Sequence, residues 1–116
     1  MIYRHLNPDT IRKAMMDNDD MTRQFVDMYI LQCPSDFQQL IENVNNGYLQ
    51  GTADAAHHIK PTMEYVGATA LRIAFQELED LARRGEDNGM IRKKFEALQA
   101  NFDELMKELQ DFRERL

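Results

Sequence analysis

Two side chains near the middle of the chain have the types and spacing to do chemistry on a partner: His57, and Lys60 three residues after it. They sit in Ala55-Ala56-His57-His58-Ile59-Lys60-Pro61-Thr62-Met63-Glu64-Tyr65-Val66-Gly67, whose periodicity predicts an amphipathic helix. At about 100° per residue, Ala55, Ile59, Thr62, Met63 and Val66 share one face, and His57 points about 160° away from Ile59. The imidazole is therefore expected to face solvent, with Ala53, Lys60, Pro61 and Glu64 around it. These small or polar neighbours leave the ring open to a macromolecule. An accessible ring nitrogen is a nucleophile near neutral pH, and a cation on the same surface can offset negative charge brought to it. His58, about 100° further round, falls on the flank and reads as a bystander. His5 has no recognisable context.

The elements that must position this turn are all helical. At 116 residues the chain is one domain, 1–116, long enough for a real core and too short for a second folded unit. Asn7-Pro8-Asp9 is a helix start, with a capping side chain and a proline that needs no donor in the first turn. It opens a short helix to about Met16, presenting Ile11 and Met15, so that residues 1–17 are expected to lie across the main body as a lid. Asn18-Asp19-Asp20 caps a long helix. Its apolar residues Met21, Phe25, Met28 and Tyr29 continue, after a shift of phase at Pro34, as Cys33, Phe37, Leu40, Ile41 and Val44, which predicts a kinked helix ending at Asn45-Asn46-Gly47.

Thr52 is the expected cap of the histidine helix and Gly67 its left-handed end. Pro61 deprives the His57 carbonyl of its usual partner, so a bend is expected there. The next helix, from about Ala68 to Arg84, places Leu71, Ala74, Phe75, Leu78, Leu81 and Ala82 on one face, and Gly85 stops it. The last helix carries Ile91, Phe95, Leu98, Phe102, Leu105, Leu109, Phe112 and Leu116 at alternating spacings of four and three. That is a coiled-coil-like seam, expected to pack inside the molecule against the long helix rather than to dimerise.

Charge and composition remove several classes of function. The net charge is −6, from 14 basic and 20 acidic side chains, and no basic stripe is present to displace phosphate counterions, so nucleic acid is not an expected partner. Arg83-Arg84 and Arg92-Lys93-Lys94 read as solvated charges near helix ends. A mean hydropathy of −0.60 and the lack of a long apolar run predict no membrane span, and Met1-Ile2-Tyr3-Arg4-His5 lacks a signal peptide's apolar segment; the cytoplasm is the expected compartment. Cys33 is the only cysteine, read as a buried, inert thiol that can form no intramolecular disulfide. A dinuclear metal site in a bundle needs Glu-x-x-His pairs. Asp54 and Ala55 stand three residues before His57 and His58, so no metal site is expected.

Ala56-His57-x-Ile59-Lys60, with Gly67 ten positions after the histidine and then Leu71-x-x-x-Phe75-x-x-Leu78-Glu79, resembles the signature of the histidine-containing phosphotransfer (HPt) domains of two-component phosphorelays. The resemblance spans almost the whole chain in length and helix order. It departs at Pro61, where many members have glycine. It implies an all-α fold, an antiparallel four-helix bundle over residues 19–116 with an additional short N-terminal helix. It also implies a histidine phosphocarrier: His57 would accept a phosphoryl group from a receiver-domain aspartate and pass it to another. Lys60 would help neutralise the phosphoryl oxygens. Glu79 would accept a hydrogen bond from the ring nitrogen that is not phosphorylated and so orient the other outward. Ala53, Pro61 and Glu64 would lie in the docking surface.

The implied partners are the receiver domains of a hybrid histidine kinase and of a response regulator, and the chain itself is expected to be a monomer. Nothing in it resembles a glycine-rich phosphate loop. It should therefore be no autonomous kinase and hold no cofactor, the magnesium belonging to the receiver. The alternative is a non-catalytic helical interaction or dimerisation module, which would leave the outward His57–Lys60 pair idle.

Overall fold

Caps and glycines set the ends of five helices in the computed structural model, which describes residues 1–116. These are α1 (Pro8–Ala14), α2 (Asp19–Asn45), α3 (Leu49–Tyr65), α4 (Thr69–Arg83) and α5 (Asn88–Glu114). Asn7, Asn18 and Asp87 accept first-turn N–H groups of α1, α2 and α5, satisfying donors that the helix leaves orphaned. Gly47, Gly67 and Gly85 follow α2, α3 and α4 with φ of +66°, +71° and +71°, a region that costs a side-chain-bearing residue about 1–2 kcal/mol. All four long helices pack antiparallel to their neighbours. Asp36 faces His58 and Tyr29 reaches Thr62 between α2 and α3, Glu77 pairs with Lys94 between α4 and α5, and Asp27 pairs with Arg113 between α2 and α5.

One hydrophobic core runs the length of the bundle. Phe37 stacks on Phe102 with ring centroids 4.0 Å apart, and Phe75 meets both edge-on, the T-shaped arrangement that aromatic quadrupoles favour. The α5 seam is buried from Ile91 to Phe112. It packs on α2 and α4 within the molecule.

Three expectations need correction. The buried stripe of α2 is Thr22, Val26, Tyr29, Cys33, Phe37, Leu40 and Val44, steps of three and four that stay on one face of a single helix through Pro34. Met21 and Met28 lie on the exposed side, because two readings of this helix differ by one residue, about 100°, and only the neighbouring helices choose between them. Thr52 does not cap α3. The helix begins a turn earlier, after Tyr48, and the buried Thr52 hydroxyl donates to the Tyr48 carbonyl at 2.9 Å. Helix α1 ends at Ala14 rather than near Met16, since Met16 and Asp17 take φ of +54° and +56°.

The N-terminal segment is held by a carboxylate that helical periodicity hides. Glu108, in the buried seam between Leu105 and Leu109, accepts the backbone N–H groups of Arg4, His5 and Leu6 at 2.9–3.0 Å. Burial of this charge is offset by those three bonds. The Asn7 N–H then donates to the Val66 carbonyl at 2.9 Å, seating α1 beside the end of α3. A Cβ on Gly67 would stand 2.5 Å from Asn7 Cβ and 2.9 Å from Thr10 Oγ1, whereas one on Gly85 would meet nothing. Gly85→Ala should therefore cost about 1 kcal/mol from backbone strain alone. Gly67→Ala should cost about 3 kcal/mol, overpacking being added. Urea unfolding midpoints of the two variants check this, and equal losses would contradict the seating of α1 on Gly67.

Candidate functional site

Helices α3 and α4 share the most extensive interface of the bundle, and a ladder of polar pairs runs along its outer edge. Glu64 meets Arg72 at 3.2 Å, Lys60 donates to Gln76, His57 meets Glu79 at 3.1 Å, and Arg83 reaches Asp54 at 3.7 Å. Each rung lies about one turn from the next, as two antiparallel helices in fixed register require. Ala53, Ala56 and Ala82 are buried. Such small side chains let two helix backbones come close enough for the longer groups at the edge to meet.

The centre of the ladder is the carboxylate of Glu79. Its side chain is only 7% exposed, whereas the His57 ring beside it is 62% exposed. Both Glu79 oxygens accept from His57 Nδ1, at 3.2 and 3.1 Å; Oε1 also accepts from Lys60 Nζ at 3.1 Å and Oε2 from Arg83 Nε at 3.0 Å. Burial raises the carboxyl's pKa, but hydrogen bonds from Arg83, then Lys60, then His57 outweigh it and hold the group below its ordinary range. An ionised carboxylate only accepts, so the proton of a neutral His57 ring resides on Nδ1. The lone pair is then on Nε2, the nitrogen that makes no bond within the chain.

Five of the residues singled out in the sequence meet at this face or border it. His57 and Pro61 are exposed, and Glu64 is exposed and paired with Arg72. Lys60 is partly covered, with a side chain 19% exposed. It is not a free surface cation, because Gln76 and Glu79 both hold its ammonium. Gly67 lies at the far end of α3, in the left-handed turn predicted for it. Helix α3 continues through Pro61. His58 is exposed on the side of α2, 3.7 Å from Asp36.

Ala53 requires a correction. It was expected on the outer surface beside His57, but it is 1% exposed and packs in the α3–α4 interface. The single-helix projection places it about 40° from His57, close enough that α4, approaching on that side, covers one and leaves the other free. Ala53 is therefore no part of an open docking surface. Arg83 requires the opposite correction. It read as a solvated helix-end charge, yet it is bound to Glu79, its partner four residues earlier. An acid four positions before an arginine on one helix was the local signal for this pair. Gln76, one turn before Glu79, was likewise not singled out.

Elsewhere the chemistry is quiet. No group of three His, Cys, Asp or Glu side chains is arranged to hold a metal ion, and no helix is long and apolar enough to cross a membrane. Cys33 is buried beneath Tyr29, and desolvation pushes its thiol up to about 11, which leaves it protonated and unreactive at neutral pH.

Comparison with known proteins gives a consistent result. The family model described as Hpt domain matches residues 24–114. Among solved structures, the fold is similar to the crystal structure of histidine-containing phosphotransfer protein B (HptB) from Pseudomonas aeruginosa PAO1, with a TM-score of 0.86 and 22% identity over 99% of each chain. At that identity the likeness speaks for the fold. The curated proteins contain no match.

The Glu79 hydrogen bonds carry a pH signature. A carboxylate whose folded pKa lies below its unfolded value contributes stability that is fully present above the unfolded pKa, near 4.5, and is lost as pH falls through the folded one. Glu79→Gln removes the titrating group. The stability difference between wild type and this variant should be constant from pH 8 to about 5 and should shrink below about 4.5, as read from thermal midpoints. A difference independent of pH down to about 3 would contradict the ionised pairing.

Proposed function

We infer the chemistry of this face from what the chain is: it belongs to the Hpt domain family, the histidine-containing phosphotransfer domains of phosphorelays. Histidine phosphotransfer is accordingly its function, and receiver domains are its partners. Within that family His57 is the phosphoacceptor of this chain. The observation that carries the assignment is the pairing of an exposed imidazole with a buried carboxylate through Nδ1, which leaves Nε2 as the nucleophile. His58 has no comparable partner, and the His5 side chain is mostly covered and bonded to Glu104.

The Nε2 lone pair attacks the phosphorus of a receiver's aspartyl phosphate, an N–P bond forms, and the P–O bond to the aspartate breaks. The aspartate carboxylate leaves with the electron pair. The ring, substituted on both nitrogens, carries positive charge that the Glu79 carboxylate faces across the Nδ1–H bond. Transfer to a second receiver is the reverse of this step. Lys60, one turn from His57, is the cation for the phosphoryl oxygens. Docking by the receiver covers His57, Lys60, Pro61 and Glu64, since reacting atoms must approach to roughly 3–3.5 Å; the flat ring of Pro61 replaces the glycine of many members as the contact there. Ala53, being buried, supports the packing of α3 on α4 instead.

The receivers are those of a hybrid histidine kinase and of a response regulator, and magnesium is bound by the receiver, not by this chain. The carrier acts as a monomer in the cytoplasm and has no ATP-dependent kinase activity of its own.

Incubation with a phosphorylated receiver should place acid-labile, base-stable label on the wild-type protein and on His58→Gln, and none on His57→Gln. Label retained by the His57 variant would overturn the assignment. ATP and magnesium without a kinase should label neither. Ala53→Trp should lower stability by about 1–3 kcal/mol through overpacking, measurable as a fall in melting temperature. A variant as stable as wild type would contradict the close α3–α4 contact.

A further inference from the structure

Glu79 has more positive charge around it than a single carboxylate needs. Lys60 Nζ lies 3.1 Å from Oε1 and Arg83 Nε 3.0 Å from Oε2, so two cations serve one anion in a largely buried setting. The phosphotransfer reading gives Lys60 a second duty, because phosphorylation of His57 brings a doubly charged group to the same face. Lys60 cannot leave Glu79 freely unless something else satisfies that carboxylate, since a buried charge stripped of its partner is strongly unfavourable. Arg83 is placed to do this. It holds the oxygen that Lys60 does not, it lies one helical turn from Glu79 on α4, and its terminal nitrogen sits 3.7 Å from Asp54 of α3, which keeps the guanidinium against the edge of the interface.

We propose that Arg83 is a positioning residue of the transfer step: it neutralises Glu79 so that Lys60 can move from that carboxylate to the phosphoryl group while Glu79 keeps its hold on the Nδ1–H of His57. The inference rests on the assignment of His57 as acceptor and adds a residue to it. Bonds made and broken are unchanged, N–P forming as the aspartyl P–O bond breaks, and Nδ1 keeps its proton throughout. Arg83 touches neither the phosphorus nor the attacking nitrogen. Gln76, the other partner of Lys60, is neutral and can release the ammonium without leaving an anion behind. Arginine suits the role better than lysine would, because its planar fork can bond Glu79 and face Asp54 at once.

The test is a double-mutant cycle read by transfer kinetics. Rates of transfer from a phosphorylated receiver are measured over a range of receiver concentrations for wild type, Arg83→Gln, Arg83→Lys, Glu79→Gln and the double variant Glu79→Gln with Arg83→Gln, with melting temperatures beside them. Arg83→Gln should lower the saturating rate roughly tenfold, the scale of one charge-assisted hydrogen bond, and leave the half-saturating receiver concentration unchanged. Arg83→Lys should recover most of the rate. In the Glu79→Gln background, where no carboxylate needs a counter-ion, Arg83→Gln should have no further effect on the rate. A saturating rate equal to wild type in Arg83→Gln would overturn the proposal, and so would an equal loss in both backgrounds, which would mean that Arg83 acts on the phosphoryl group or the receiver directly. A change confined to the half-saturating concentration would assign Arg83 to docking and overturn it as well. Failure of the wild-type chain to take label on His57 would instead sink the acceptor assignment itself, an outcome visible before any Arg83 variant is compared.

Discussion

A carboxylate that is buried and ionised cannot be left alone, and this protein's functional face is built around that constraint. Glu79 is withdrawn from solvent between α3 and α4 and stays charged only because imidazole, ammonium and guanidinium groups point at it. The arrangement acts in both directions. The three donors stabilise the anion, and the anion fixes where each donor can be. His57 is held by one ring nitrogen and exposed at the other, so an otherwise mobile surface side chain presents a defined tautomer and a defined lone pair to a partner. A neutral acceptor at this position could orient the ring, but it would not place a negative charge beside it.

That arrangement depends on register. The rungs from Glu64–Arg72 to Asp54–Arg83 lie a turn apart along two antiparallel helices, and a one-residue slip of either would rotate Glu79 away from His57 by about 100°. Small residues, Ala53, Ala56 and Ala82, set the spacing of the helices, while Phe37, Phe75 and Phe102 lock their far sides into the common core. At the other side of the bundle a second buried carboxylate, Glu108, is satisfied wholly by backbone N–H groups of residues 4–6. The two buried glutamates divide the labour. Glu108 ties the N-terminal segment to α5 with partners that cannot titrate, and Glu79 is surrounded by side chains that can exchange partners.

The division of chemistry between carrier and receiver follows from what the face contains. It offers an exposed ring nitrogen, a carboxylate behind the ring, and a cation one turn away. The receiver supplies the activated phosphoryl group as an acyl phosphate. With little more than a helix surface to recognise, the carrier suits a role in which one histidine serves a donor and an acceptor in turn.

Much of this was legible in the sequence, for local reasons. Capping residues, left-handed glycines and the four-three spacing of α5 act within a few residues of themselves, so they located the terminal seam and the helix ends other than the start of α3. The outward direction of His57 followed from helical geometry, and the offsets to Lys60, Gly67, Leu71 and Glu79 carried the family. What helical periodicity does not encode is which neighbour covers the flank of a face. Ala53 and His57 are 40° apart on one helix, and the approach of α4 buries the first and spares the second. The same ambiguity displaced the first half of the α2 stripe by one residue, whereas Tyr29, Cys33, Phe37, Leu40 and Val44 lie in the core as expected. Pairs joined across the fold were out of reach for a related reason. Glu108 with residues 4–6, and Lys60 with Gln76 and Glu79, are set by how whole helices dock, and Arg83 acquires its meaning only because the acid four residues before it lies beneath a histidine of another helix.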